Sequence, residues 1–237
     1  MTCPHASETD ENTGADLVAD FAAHVEARAF PCVGAKSALA HGSLKIVPCR
    51  DIASSWDDLV MHQELLAWSK DYAANPDGFR SLAFIFREPF NGTEAAFETA
   101  MWDRIQSLTD KDEWLDQPYD QAVSSDPEDP HFGLSFGGEA YFVVGMHAQA
   151  SRPARRFRRP VMVFNLHDQF VRLREQNRYL RMREAILNRD VQLAGGINPM
   201  LAIHGETSEA RQYSGRQVDD DWRAPFAGRS GSGTDKP

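Results

Sequence analysis

Apolar residues at Leu17, Phe21 and Val25 recur every four positions, which predicts a short amphipathic helix. That helix should stop before Phe30-Pro31-Cys32, because the residue ahead of a proline resists the α region. Leu44 to Val47 reads as a strand closed by Pro48. Trp56 to Tyr72 reads as a second helix, with Leu59, His62, Leu66 and Tyr72 roughly on one face. His62 is expected there as a packed or half-exposed helix histidine rather than a ligand. Leu82-Ala83-Phe84-Ile85-Phe86 is a short apolar run between turn residues and predicts a strand. After the Asn91-Gly92 turn, Thr93 is placed to cap a helix. Its buried stripe is Phe97, Met101, Ile105 and Leu108, widened by Trp102.

The segment 110–130 is acidic and turn-rich, with Trp114 and Tyr119 tacking it to the body, and Ser125-Asp126-Pro127-Glu128-Asp129-Pro130 reads as a loop. Ala140 to Met146 is uniformly apolar, which predicts a central strand, and Gly137-Gly138 before it permits a tight turn. Val161 to Phe164 predicts another such strand. Asn165 is placed to cap the following helix, with Phe170 and Leu173 inward, and Asn177 suits a left-handed position between two helices. Tyr179, Met182, Ile186 and Leu193 continue at helical spacing. Residues 1–13 are expected to be disordered and 228–237 to be a flexible tail, leaving 14–227 as one domain. Helices interleaved with four to five short strands predict an α+β fold, a single domain with a mixed sheet covered by helices.

Composition narrows the function classes. At 237 residues a full core is expected. A net charge of −10 argues against nucleic acid or an anionic membrane surface as partner. No apolar run approaches eighteen residues, so no transmembrane helix is expected. Three cysteines (Cys3, Cys32, Cys49) lack CxxC or zinc spacing, and the polar N-terminus has no apolar signal core. A reducing cytoplasm is the expected setting. There is no GxGxxG, Walker A loop, HExxH or GxSxG elbow.

The chemistry-bearing residues concentrate between Phe132 and Phe170. Two apolar runs flank five arginines in eight residues (Arg152, Arg155, Arg156, Arg158, Arg159), with His147 past the first run and His167 past the second. Histidine is the commonest metal ligand, and clustered arginine pairs with carboxylates and phosphates. His147 reads either as a ligand over an apolar pocket or as a strand-end histidine bonded to a carbonyl. His167 reads either as a ligand or as a partly exposed histidine in a helix's first turn, where the helix dipole disfavours the imidazolium. His204 is a third candidate. The arginine run reads as a solvated loop, a set of ion pairs or an anion clamp. Cys32 reads as a small buried residue or as a thiolate ligand.

FPCVGAKSAL at 30–39, SFGGEAYFVVGMHAQASRPARRF at 135–157, FNLHDQF at 164–170 and GGINPML…HGETSEARQYSGR at 195–216 resemble the YqcI/YcgG family. The resemblance extends to about Phe226 and so spans nearly the whole chain. Family members with known activity are haem-dependent oxygenases that N-hydroxylate guanidine groups of arginine or arginine-like amino acids in bacterial natural-product pathways. Two departures stand out. The family pattern VGLHP is Val144-Gly145-Met146-His147-Ala148 here, and WxCPF is Trp222-Arg223-Ala224-Pro225-Phe226, so any role of that cysteine is missing.

The resemblance implies haem b; by side-chain chemistry its axial ligand is expected to be a histidine, His147 first and His167 second, with Cys32 or His204 next. Arg152, Arg155 and Arg156 would bind the propionates. Glu139, Asp168 and Glu206 are the candidate carboxylates for a guanidinium, with Glu139 and Glu206 also the candidate catalytic groups, and Arg211 would take the substrate α-carboxylate. O2 would be the oxidant, with electrons from a reductase partner or supplied as peroxide. Two other readings stay open: a haem-binding sensor or carrier without turnover, and a haem-free protein that binds a small anion.

Overall fold

The computed structural model describes residues 14–200 and 205–229. Expectations for residues 1–13, for His204 and for most of the 228–237 tail therefore fall outside the described residues. The elements run α1 (Gly14–Glu26), α2 (Val33–Ala40), β1 (Leu44–Cys49), α3 (Asp58–Ala74), β2 (Ser81–Phe86), α4 (Glu94–Trp114), β3 (Leu134–Phe136), β4 (Glu139–Met146), β5 (Val161–Leu166), α5 (His167–Glu175), α6 (Tyr179–Ala194) and α7 (Ala210–Tyr213). The strands make one open five-stranded sheet in the order β1-β2-β5-β4-β3. β1 and β2 are parallel, and the other neighbours are antiparallel. This is the α+β architecture, a mixed sheet covered by helices, that the sequence predicts. No helix among the described residues is long and apolar enough to cross a membrane.

Side chains alternate across a strand, so each central strand feeds two cores. Phe84, Phe86, Tyr141, Val143, Met162 and Phe164 pack with the α4 stripe Phe97, Met101, Trp102, Ile105 and Leu108. Ala83, Ile85, Met146, Val161 and Val163 face the other way and pack with Leu17, Phe21 and Val25 of α1. Thr93 caps α4 as expected, accepting from the Ala96 N–H at 3.2 Å. The β3–β4 hairpin turns on Gly137 and Gly138, with φ of 59° and 85°, a conformation that favours glycine. Asn177, at φ 55°, takes the left-handed position between α5 and α6.

Several expectations are corrected. β1 runs through Pro48 instead of stopping there, because it is an edge strand and the missing N–H breaks no ladder bond. The buried face of α3 is Met61, His62, Leu65, Ser69 and Tyr72, while Leu59 is exposed. Of the two kinds expected, His62 is the packed one, fully buried against Asp112 at 3.0 Å. Trp114 points into solvent and tacks nothing down, whereas Tyr119 does, donating to the Gly133 carbonyl. Asn165 lies in β5 and accepts from Ser81 Oγ at 2.7 Å. It does not cap α5, whose N-cap residue, Leu166, makes no side-chain cap bond. Helices α2 and α7 and the short strand β3 are additions to the expected list.

β3 pairs with β4 only as far as Tyr141, which leaves the outer edge of β4 open from Phe142 onward. An open edge exposes unpaired backbone groups and is normally covered. The C-terminal segment around α7 covers this one. Arg155 donates to the carbonyls of Gly145 (3.1 Å), Tyr213 (3.3 Å) and Gln212 (3.1 Å), and Tyr213 Oη donates to the Tyr141 carbonyl at 3.3 Å. Glu98 of α4, nearly buried, accepts from Ser214 Oγ at 2.8 Å, Arg216 Nη2 at 2.5 Å and Trp222 Nε1 at 3.2 Å. These bonds hold the segment against the sheet.

Candidate functional site

The alternation that builds two cores also sorts the two candidate histidines. In β4, Tyr141 and Val143 face α4, so His147, which continues that odd-numbered row, faces α4 too. In β5, Val161 and Val163 face away from α4, and His167 continues their row at the start of α5. The two lie beyond opposite ends of the β4–β5 pair, roughly 23 Å apart at about 3.3 Å per residue.

His147 is 1% exposed, and its ring stacks on Phe97 at 4.2 Å between centroids. Its Nδ1 is buried without a hydrogen-bond partner among the described residues, and its backbone N–H donates to the Arg155 carbonyl at 3.0 Å. Burial holds its pKa below the ordinary histidine value, with Glu94 pulling the other way. It lines none of the cavities described below.

His167 opens onto a cavity of about 260 Å3 on the other face of the sheet. Phe142, Val144 and Asn165 form the floor, and Tyr179, Met182, Arg183, Ile186 and Leu187 of α6 form the roof. The roof residues fall at 3–4 spacing, one face of a helix. Cys32, His167, Phe170, Arg174, Thr207, Glu209 and Gln212 close the sides. Within it, His167 Nε2 donates to Glu209 Oε1 at 2.8 Å, and Tyr213 Oη donates to the same oxygen at 2.7 Å. Burial, and then Glu209, push the Tyr213 phenol well above its ordinary pKa, so it stays a proton donor. The guanidinium of Arg174 sits over the Tyr179 ring at 5.4 Å.

Cys32 lines the cavity and also caps α2, its Sγ accepting from the Ala35 N–H at 3.4 Å. Burial pushes its thiol pKa up, against the pull of the Ala35 and Gly34 N–H groups and of Arg155. A thiol held protonated is a poor iron ligand.

Four of the five arginines in the run are engaged by the protein's own oxygens. Arg152 pairs with Asp190 of α6 at 2.5 Å, Arg155 binds the three carbonyls named above, Arg156 donates to the carbonyls of Ala150 (2.7 Å) and Ser151 (2.9 Å), and Arg158 pairs with Asp20 of α1. Burial lowers the Arg155 pKa to about 10, partly offset by Asp190, and still leaves it charged at neutral pH. None of Arg152, Arg155 and Arg156 lines the cavity.

The candidate carboxylates are also placed apart from the cavity. Glu139 lies near Asp120 and Asp168, and burial first and then those two charges raise its pKa. Asp168 accepts from Tyr72 Oη and from Arg172 Nε, each at 2.7 Å. Glu206 is exposed. Arg211 donates to the carbonyls of Trp222 (3.4 Å) and Asp219. Of the expected site residues among the described ones, the structure brings only His167 and Cys32 together in the cavity.

Sequence reading passed over Glu209, Tyr213, Arg174 and Arg183. One signal for Arg183 was present: it is an arginine inside the apolar stripe of α6. Glu209 and Tyr213 carried a weaker one, being four residues apart and so on one face of a helical turn.

The donor set suits haem b. One imidazole is held by a carboxylate, the walls are apolar and aromatic, and two guanidiniums are available to propionates. The space of about 260 Å3 lies below the usual range for a small-molecule site, so haem would enter only with outward movement of the roof, α6, whose buried residue is Asp190. No curated protein and no solved structure matches the chain. The model of one family, the YqcI/YcgG family, matches residues 21–227.

Proposed function

The chain belongs to the YqcI/YcgG family, and from that premise we propose that it is a haem-dependent oxygenase that N-hydroxylates the guanidine group of L-arginine or an arginine-like amino acid. The observation that carries this reading is the His167–Glu209 pair at 2.8 Å inside an apolar cavity. When bound, haem b supplies the iron chemistry that activates O2, with electrons from a reductase partner or delivered as peroxide.

The chain's own residues do the rest. His167 would hold the iron, in preference to His147, which is stacked in the other core, and to Cys32, which is held as a thiol. Glu209 accepts the imidazole N–H, which fixes the ring and raises its basicity toward iron. Tyr213 keeps that carboxylate in place by donating to the same oxygen. Arg174 and Arg183 take the propionate role expected of Arg152, Arg155 and Arg156, because they are the arginines that line the cavity. The Tyr179 ring carries the Arg174 guanidinium on its face at 5.4 Å, which holds that arginine at the cavity wall. Phe142, Val144, Ile186 and Leu187 exclude water from the reacting nitrogen.

The test is the absorption spectrum of the purified chain with added haem, with and without L-arginine. A Soret band that shifts on L-arginine addition, with N-hydroxylated product on supply of reductant and O2, is expected. His167→Ala should lose the ligand field while His147→Ala keeps it. A protein that stays colourless with haem would sink the proposal in favour of a small-anion binder. A stable haem complex with no arginine-dependent reductant consumption would instead indicate a sensor or carrier.

A further inference from the structure

The cavity does not end at its roof. Met182 also lines a groove of about 360 Å3 between α2 and the α5–α6 corner, bounded by Val33, Gly34, Ser37, Phe79, Leu173, Arg178 and Arg181. The groove in turn shares Ser37, Phe79, Leu173 and Arg178 with a wide surface cleft of about 660 Å3. The groove thus adjoins the cavity at Met182 and opens onto the cleft along four shared residues.

The charge along the groove is distinctive. The chain carries 35 acidic and 25 basic residues, yet the groove is lined by two arginines and no carboxylate. The acids of the outer cleft have partners of their own: Asp71 pairs with Arg80 at 2.5 Å, and Asp77 accepts from the Gly78 N–H at 3.0 Å. Arg172 is taken up by Asp168 and the Pro76 carbonyl. Arg178 makes one long bond, to Gln176 Oε1 at 3.4 Å, and Arg181 makes no hydrogen bond or ion pair among the described residues. Ser37 presents a hydroxyl on the α2 wall. Within the groove an anionic group meets two guanidiniums and no carboxylate.

We infer that this groove is the entry path and the carboxylate subsite: Arg178 and Arg181 bind the α-carboxylate of an amino-acid ligand whose side chain passes Met182 into the His167 cavity. This rests on the reading proposed above for the cavity. It moves the carboxylate role from Arg211, which is spent on backbone carbonyls, to α6 and the residue that precedes it. Substrate selection then lies on the helix that roofs the cavity.

The experiment is calorimetric binding of three probes to the full chain and to an Arg178→Ala/Arg181→Ala variant, alongside a haem titration of both. L-arginine carries both groups, agmatine has the guanidine without the carboxylate, and hexanoate has a carboxylate on an apolar chain. The wild type is expected to prefer L-arginine over agmatine by about tenfold or more, as a charge-assisted pair would give. The double variant should lose that preference and its hexanoate binding while taking up haem as the wild type does. A variant that keeps the preference overturns the inference. So does one that loses haem in step with L-arginine, since the two arginines would then serve the cofactor. Hexanoate binding that depends on the two arginines, with neither guanidine probe bound, would support the groove while removing the guanidine reading of the cavity.

Discussion

At the scale of the residue, His147 and His167 show what sequence carries and what it hides. Both follow an apolar strand, and the strand pattern alone ranks neither. The ranking comes from parity: once β4 and β5 pair antiparallel, odd positions of the two strands face opposite sides of the sheet. The register was unknown, so the stronger-looking histidine turned out to be the one buried against Phe97. Its burial has a measurable consequence. An unfolded histidine titrates near about 6.5, and the folded His147 sits lower. Below the unfolded value the unfolded chain binds a proton that the folded chain refuses, so stability falls as pH drops from there toward the folded pKa, and is unaffected above. His24 is shifted in the same direction by burial, so His147→Leu should flatten the acid side of the stability curve without abolishing its slope. Urea titrations at several pH values would show it, and an unchanged slope would refute it. Glu209→Gln tests the other site. Keeping shape while losing charge, it should weaken haem binding roughly 10- to 100-fold, the usual cost of a lost partner to a ligating histidine.

At the scale of the element, the strands and long helices were legible because period and length agreed. The Phe97–Leu108 stripe and the Thr93 cap identify α4, and Leu82–Phe86 identifies β2. The segment after Gly195 was not legible, because its structure comes from what it covers. Its short helix α7 has too few residues to show a period, and it is held by Glu98 and Arg155 from elements far away in sequence. Glu98→Ala leaves Arg216 without its carboxylate and Trp222 and Ser214 without an acceptor. The expected loss is about 3 kcal/mol of unfolding free energy, with Glu98→Gln losing less. Equal stability of both variants and the wild type by urea denaturation would show that the segment is held some other way. Gly145→Ala tests the same seam from the strand side. A Cβ there would lie 2.8 Å from Phe97 Cε1 and 2.9 Å from Met101 Sδ, with the Tyr213 carbonyl at 3.1 Å. Overpacking of this kind costs about 1–3 kcal/mol, and the neighbours at risk include the tyrosine that holds Glu209.

At the scale of the whole molecule, the sheet separates two unequal halves. On one side α3 and α4 bury complete faces, ten residues of α4 among them. On the other, α6 roofs a cavity, and its buried residue is Asp190, tied to Arg152. Helices packed on few apolar contacts open at lower free energy than core elements do. The roof is therefore the part of the fold best able to adjust to a ligand larger than the resting cavity, and the α3–α4 side is the frame it adjusts against. This asymmetry gives a prediction with a spatial pattern. Saturating haem should raise the melting temperature by mass action on the folded state, and it should slow amide exchange in α6 and around Glu209 far more than in α3 or α4. Protection spread evenly over both faces would mean that the ligand tightens the molecule as a whole. Protection centred on His147 and Phe97 would place the site in the other core. Only slowing centred on α6 and around Glu209 fits a cofactor held beneath α6 by His167.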